Sequence, residues 1–154
     1  MTPRMNIFRS ASEGVKNIMA VENSIEKSGL ERSLMELVKI RASQINGCAF
    51  CAHMHVQDAL KHGESDLRIH LLGAWRWSPL YSDRERAALN WTECLTSVAD
   101  RGAPDADYDL LKDQFNETEI AYLTLQIGAI NFWNRLLIGV RAIHEVDSLA
   151  SAAA

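Results

Sequence analysis

Proline is scarce in this chain, with three residues in 154, at positions 3, 79 and 104, so long stretches are free of the strongest helix breaker. Cysteine is equally scarce, and three residues do not make a disulfide scaffold. Long apolar runs are missing too. The richest, IAYLTLQIGAI at 120–130, contains Thr124 and Gln126 and is too short to span a bilayer. The first twenty residues hold no continuous apolar core of the length a signal peptide needs, so export is not expected. Nor is positive charge in excess. Sixteen Lys and Arg stand against twenty Asp and Glu, a formal charge of -4 that gives no electrostatic reason to expect nucleic acid or an acidic membrane as partner. The expected location is the cytoplasm, where thiols stay reduced and a close cysteine pair reads as catalytic, redox or metal-binding.

What is present describes a soluble globular protein: 47% hydrophobic and 23% charged residues, in a length that suits one domain over residues 1–154. Helical periodicity dominates and no strand pattern stands out, so the expected class is all-α. Val15, Ile18, Met19 and Ile25 form a helix-period stripe over 12–27. A second helix is expected over 30–44, with Leu30, Leu34, Leu37, Val38 and Ile45 to one side, and a third over 47–62, closing at His62 and Gly63. Asp66 can cap a short helix, followed by the aromatic connection AWRWSPLY. Ser82 and Glu85 make a capping-box pattern opening a helix to about Val98, and Asp105 can cap the one after the DRGAPD loop. The last helix is expected from Glu117 to about His144, with Gly128 and Gly139 as points of bending, and the SLASAAA tail is expected to fray.

The stretch NGCAFCAHMH, residues 46–55, carries two of the three cysteines. On a helix starting near Gly47, about 100° per residue brings Cys48, Cys51 and His55 onto one face, while His53 points elsewhere. Cys48 falls in the first turn, where free N–H groups and the helix dipole favour a thiolate; Cys51 has His55 at i+4 to exchange its proton. Either sulfur can be the nucleophile, and sulfurs at i and i+3 can close a disulfide with little backbone movement. The preceding segment LMELVKI is apolar almost all round except for Glu36 and Lys39, so it should be buried and Glu36 should need a partner. In a hairpin about Asn46 and Gly47, Glu36 and His55 come to similar heights. A relay of Glu36, His55 and Cys51 is then geometrically possible. Two other readings of the pair stay open on spacing alone: inert core cysteines, or zinc held by Cys48, Cys51, His55 and an outside ligand, though no second CxxC completes a closed site.

The full pattern, Glu36, eleven residues, Cys48, two, Cys51, three, His55, resembles the peroxidase branch of the alkylhydroperoxidase D-like (AhpD-like) family, within the carboxymuconolactone decarboxylase superfamily. The neighbouring KIRASQINGCAFC, SDRERAALNWTECLT and NFWNR fit it too, so the likeness covers most of 30–140. The resemblance implies an all-helical fold with the CxxC at the start of a helix, a homo-oligomer (trimer or hexamer), and reduction of an organic hydroperoxide or hydrogen peroxide. It implies Cys51 as the peroxidatic cysteine, Cys48 as its disulfide partner, Glu36 and His55 as the proton relay, and a dithiol or protein reductant. It calls for no cofactor and no metal. The best-known peroxidase members have a histidine immediately before the second cysteine; here that position is Phe50. Two competing functions are a decarboxylase-type lyase, which does not need the cysteine pair, and a non-enzymatic disulfide switch.

Outside this motif, Cys94 reads as core. Trp75, Trp77 and Tyr81 read as core or subunit-interface residues, or as walls of a peroxide pocket. Asn131 and Arg135 meet at i, i+4 and, with Asn134, read as structural. Lys39 can pair with Glu36. His53, His62, His70 and His144 are assigned no chemistry.

Overall fold

The computed structural model describes residues 2–144, and every regular element among them is helical. In chain order these are α1 (Ile7–Ser10), α2 (Ser12–Glu26), α3 (Arg32–Asn46), α4 (Ala49–Lys61), α5 (Asp66–Leu71), a 3-10 segment (Leu72–Trp77), α6 (Asp83–Thr96), α7 (Val98–Arg101), α8 (Asp105–Lys112) and α9 (Glu117–Gly139). None is long and apolar enough to cross a membrane. The tail expected to fray lies outside the described residues.

α3 is the centre of the molecule and packs on α4, α6 and α9. It meets three apolar clusters at once. Leu34, Met35 and Val38 face the largest, with Trp91, Leu123 and Ile127; Leu37 and Ile40 join Leu72, Trp75 and Leu89; Ala42 joins Cys48, Cys51 and Ile130. A segment apolar on most sides has to be surrounded, and residues 34–40 of α3 are buried throughout. The two charged residues of the LMELVKI segment, Glu36 and Lys39, are buried with it.

The helix ends follow local chemistry, with some corrections to the expected boundaries. Ser82 and Glu85 form the expected capping box, and Asn116 and Glu119 form a second one that opens α9. Ser65, not Asp66, caps α5, its hydroxyl accepting from the Arg68 N–H. Asp105 is the first residue of α8 rather than its cap, because Pro104 occupies that position. α9 is continuous through Gly128 but stops at Gly139, short of His144; Arg141 takes a left-handed φ of 55°. Met19 is exposed instead of joining Val15 and Ile25 in the core.

Two polar networks brace the apolar clusters. Glu93, buried on α6, has both carboxylate oxygens occupied: Arg41 Nε at 2.8 Å and Trp75 Nε1 at 2.9 Å reach Oε1, while Arg76 Nη2 at 2.7 Å and Arg101 Nη1 at 3.3 Å reach Oε2. Burial by itself would raise its pKa, but the hydrogen bonds from Trp75, Arg76 and Arg41 outweigh it and bring the value to about 2. The second network ties the end of α3 to α9. Asn46 Nδ2 donates to Asn131 Oδ1 at 3.0 Å and to Asn134 Oδ1 at 2.8 Å, and Asn134 Nδ2 donates to Ser43 Oγ at 3.0 Å. Arg135 Nη1 donates to Asn131 Oδ1 at 2.8 Å, the expected i, i+4 contact.

Asn134 is fully buried. Replacing it with Ala leaves the Asn46 amide with Asn131 as its one remaining acceptor of the two and takes from Ser43 Oγ the N–H it accepts, so urea denaturation should show a loss of about 2 kcal/mol. A loss below about 0.5 kcal/mol would mean that Asn46 and Ser43 find other partners.

Candidate active site

The turn from α3 into α4 builds the site. Gly47 adopts φ +71°, a left-handed conformation that glycine reaches without steric cost, and its N–H and that of Cys48 close back on the last carbonyls of α3. The chain then enters α4 with Cys48 as the N-cap residue, its φ/ψ extended. Cys48 is therefore one position outside the first turn in which the sequence places it. Its sulfur takes the place of a capping oxygen, accepting the Cys51 N–H at 3.4 Å. Cys48 and Cys51 are disulfide-bonded, with Cα atoms 5.4 Å apart, and both are almost fully buried.

One turn beyond Cys51, His55 points at α3. Its Nδ1 lies 2.9 Å from Glu36 Oε2, and Lys39 Nζ lies 3.1 Å from Glu36 Oε1. The pairing across the hairpin that equal heights suggest is thus present, as is the Lys39 contact. Burial raises the Glu36 pKa, yet the hydrogen bond from His55 and the charge of Lys39 outweigh it, and the net direction is down. Glu36 is held ionised and aimed at the imidazole.

These groups share a cavity of about 320 Å³. Cys51, His55, Glu36 and Lys39 line it; Cys48 does not. Its aromatic walls are Phe8, Phe50 and Trp133, with Met19 and Met54 beside them. Phe50, standing where the resemblance expects a histidine, contributes apolar surface in place of a proton carrier. Trp133 lies in the NFWNR stretch, but nothing in its spacing points to the cysteines; it reaches them because α9 packs on α3 and α4. Phe8 comes from the short α1, which the sequence reading does not anticipate.

The aromatic residues singled out from the sequence lie elsewhere. Trp75 and Tyr81 are buried in the cluster between α3 and α6, and Trp77 is 91% exposed. Cys94 is buried in the largest cluster, its thiol 3.3 Å from Asp107 Oδ2. His62 and His70 each place Nδ1 within reach of a carbonyl one turn back, of Asp58 and Asp66 respectively. His53 stacks on His144 at 4.6 Å, a contact that no sequence spacing reveals. Among the described residues no group of three or more His, Cys, Asp or Glu is placed to hold a metal ion.

Comparison with known proteins places this geometry in a family. Residues 13–93, which hold Glu36, both cysteines and His55, match the sequence profile of the carboxymuconolactone decarboxylase family. The chain is 40% identical over 140 residues to the uncharacterized protein YdfG of Bacillus subtilis, covering 91% of this chain and 95% of that one. Its fold is similar to that of Atu0492 from Agrobacterium tumefaciens, a protein of unknown function provisionally assigned as the antioxidant defence protein AhpD. The TM-score is 0.92 at 44% identity, over 95% of this chain and all of that one. The debrominase Bmp8 shares the fold at 16% identity, with a TM-score of 0.82 over 95% of this chain and 78% of Bmp8. The site thus rests on an AhpD-like all-helical scaffold, and the chain belongs to the carboxymuconolactone decarboxylase family.

Proposed function

We propose that this protein reduces hydroperoxides, organic or hydrogen peroxide, with the Cys48 and Cys51 thiols as its two-electron store. The observation that carries this reading is the hydrogen bond between Glu36 and His55 on the wall of the cavity that opens onto Cys51. A buried carboxylate that orients an imidazole one turn from a cysteine is the arrangement of an activated nucleophile. Membership of the family and the likeness to a provisional AhpD support it.

In the reduced protein His55, backed by Glu36, takes the Cys51 proton. The Cys51 thiolate attacks the distal peroxide oxygen, the O–O bond breaks, and the departing alkoxide takes a proton to leave as alcohol, or as water from hydrogen peroxide. Cys51 is then a sulfenic acid. The Cys48 thiolate, stabilised at the N-terminus of α4, attacks the Cys51 sulfur, displacing hydroxide that leaves as water, and the disulfide forms. An external dithiol returns two electrons and two protons. Assembly into a homo-oligomer belongs to the same proposal, and light scattering tests it.

The reading is tested by mass spectrometry of the thiol-blocked, pre-reduced protein before and after one equivalent of an organic hydroperoxide. Peroxide loss with a Cys48–Cys51 bridge that a dithiol reverses is the expected result. Free thiols and persisting peroxide would sink it and bring the lyase reading forward. Glu36→Gln should slow alkylation of the cysteine pair about tenfold at neutral pH, since the imidazole loses its ionic support. An alkylation rate that overlays the parent's at every pH would take Glu36 out of the mechanism.

A further inference from the structure

The cavity at Cys51 is lined by apolar side chains and by charged ones, and the charged lining is predominantly acidic. Glu22 and Glu26 come from α2, Asp58 from α4 and Glu36 from α3, against two cations, Arg32 and Lys39. The Lys39 charge is taken up by Glu36 at 3.1 Å. Lys61 stands 3.6 Å from Asp58, but this pair is exposed and solvent weakens it. Glu22 is fixed in place by the Trp133 indole, whose N–H donates to it at 3.1 Å. With those pairs set aside, Glu22 and Glu26 outnumber Arg32 in the charged lining. Anything entering toward Cys51 therefore passes Glu22, half-buried against Trp133, and the exposed Glu26, and moves through a negative potential.

We infer that the cavity selects its reductant by charge, admitting small uncharged or cationic thiols to Cys51 and holding off anionic ones. The inference rests on the redox-pair reading and adds the class of electron donor. The chemistry is thiol exchange. A donor thiolate attacks Cys51 Sγ, the sulfur that lines the cavity, and the bond to Cys48 breaks with its electron pair leaving on Cys48, which takes a proton. A second donor thiolate attacks the donor sulfur of the mixed disulfide, forming the donor disulfide and releasing Cys51. Two thiols are oxidised and the bridge gains two electrons. A donor that also carries a carboxylate brings a second negative charge into the acidic lining at each of these steps.

The test needs no peroxide. The oxidised full-length protein is opened with cysteamine, 2-mercaptoethanol or 3-mercaptopropionate, and free Cys48 and Cys51 are counted by mass spectrometry after blocking. Each rate is divided by that thiol's rate on an unstructured peptide containing the same oxidised CAFC segment, which removes differences in intrinsic reactivity. At low salt the normalised rates should fall from cysteamine to 2-mercaptoethanol to 3-mercaptopropionate, with about a tenfold span. The span should shrink in about 0.5 M salt, where screening acts within a few ångströms. A Glu22→Gln, Glu26→Gln protein should lose most of it at low salt. Equal normalised rates, or the anionic thiol fastest, would overturn charge selection while leaving the peroxide reaction to stand on its own assay. Failure of every thiol, dithiothreitol included, to open the bridge would overturn both.

Discussion

Cys51→Ser should abolish peroxide consumption, whereas Cys48→Ser should consume one equivalent of peroxide per chain and stop. The difference follows from the cavity, which Cys51 lines and Cys48 does not. With Cys51 replaced, no thiol faces an entering peroxide. With Cys48 replaced, the sulfenic acid forms at Cys51 but has no thiolate to condense with, and it accumulates as an adduct of dimedone. The fold does not confuse this comparison. Cys48 is the N-cap of α4, a position at which serine is among the preferred residues, so Cys48→Ser should leave thermal stability within about 1 kcal/mol of the reduced parent. Both proteins are first checked by circular dichroism. If sulfenic acid forms in Cys51→Ser and not in Cys48→Ser, the two roles are exchanged.

The largest effect on stability should come from Glu93. Its pKa of about 2 lies well below the 4.5 of a free glutamate, a difference that corresponds to about 3 kcal/mol in favour of the folded state. Because the folded value is the lower one, this stabilisation is complete above about pH 5. It declines as pH falls through the interval between the two values and is gone below about pH 2. Glu93→Gln keeps the shape and removes the charge, leaving Arg41, Arg76 and Arg101 grouped around a neutral amide. At pH 7 the expected loss is about 3 kcal/mol, or a fall in Tm of about 6–12 °C for a chain of this size. The variant should also lose part of the parent's dependence of stability on pH between about 5 and 2. A change in Tm of less than about 2 °C would show that the three arginines are as well served by solvent as by the carboxylate.

The contrast between Glu36 and Glu93 explains how much of this molecule was legible in sequence. Glu36 interrupts an apolar run and lies at a hairpin distance from His55, so periodicity and rise per residue are enough to pair them. Glu93 lies among polar and apolar neighbours in an ordinary helix pattern. Its partners come from positions 41, 75, 76 and 101, and nothing local points to them. The all-helical class and most helix bounds came from patterns confined to one segment, which is why they were readable. The errors at Asp66, Asp105 and the end of α9 are errors of one or a few residues at caps, where neighbouring residues compete for the same exposed N–H and C=O groups. The cavity was the least legible feature, since Phe8, Phe50 and Trp133 are brought together only by tertiary packing of α1, α4 and α9.

The place of Cys48 bears on what limits the speed of the cycle. Bridge and cap belong to one turn of α4, held from behind by the Gly47 turn and by Asn46, which α9 anchors. The cysteine Cα atoms, 5.4 Å apart, keep a spacing normal for neighbours one turn apart on a helix, so reduced and oxidised sulfurs can share one backbone. Switching between them calls for rotation of the two buried side chains rather than unwinding or domain movement. In the proposed peroxide cycle, turnover should then be governed by the arrival of peroxide and thiol and by proton transfer, with the temperature dependence of chemistry and diffusion and without the steep term of a helix that must melt and reform.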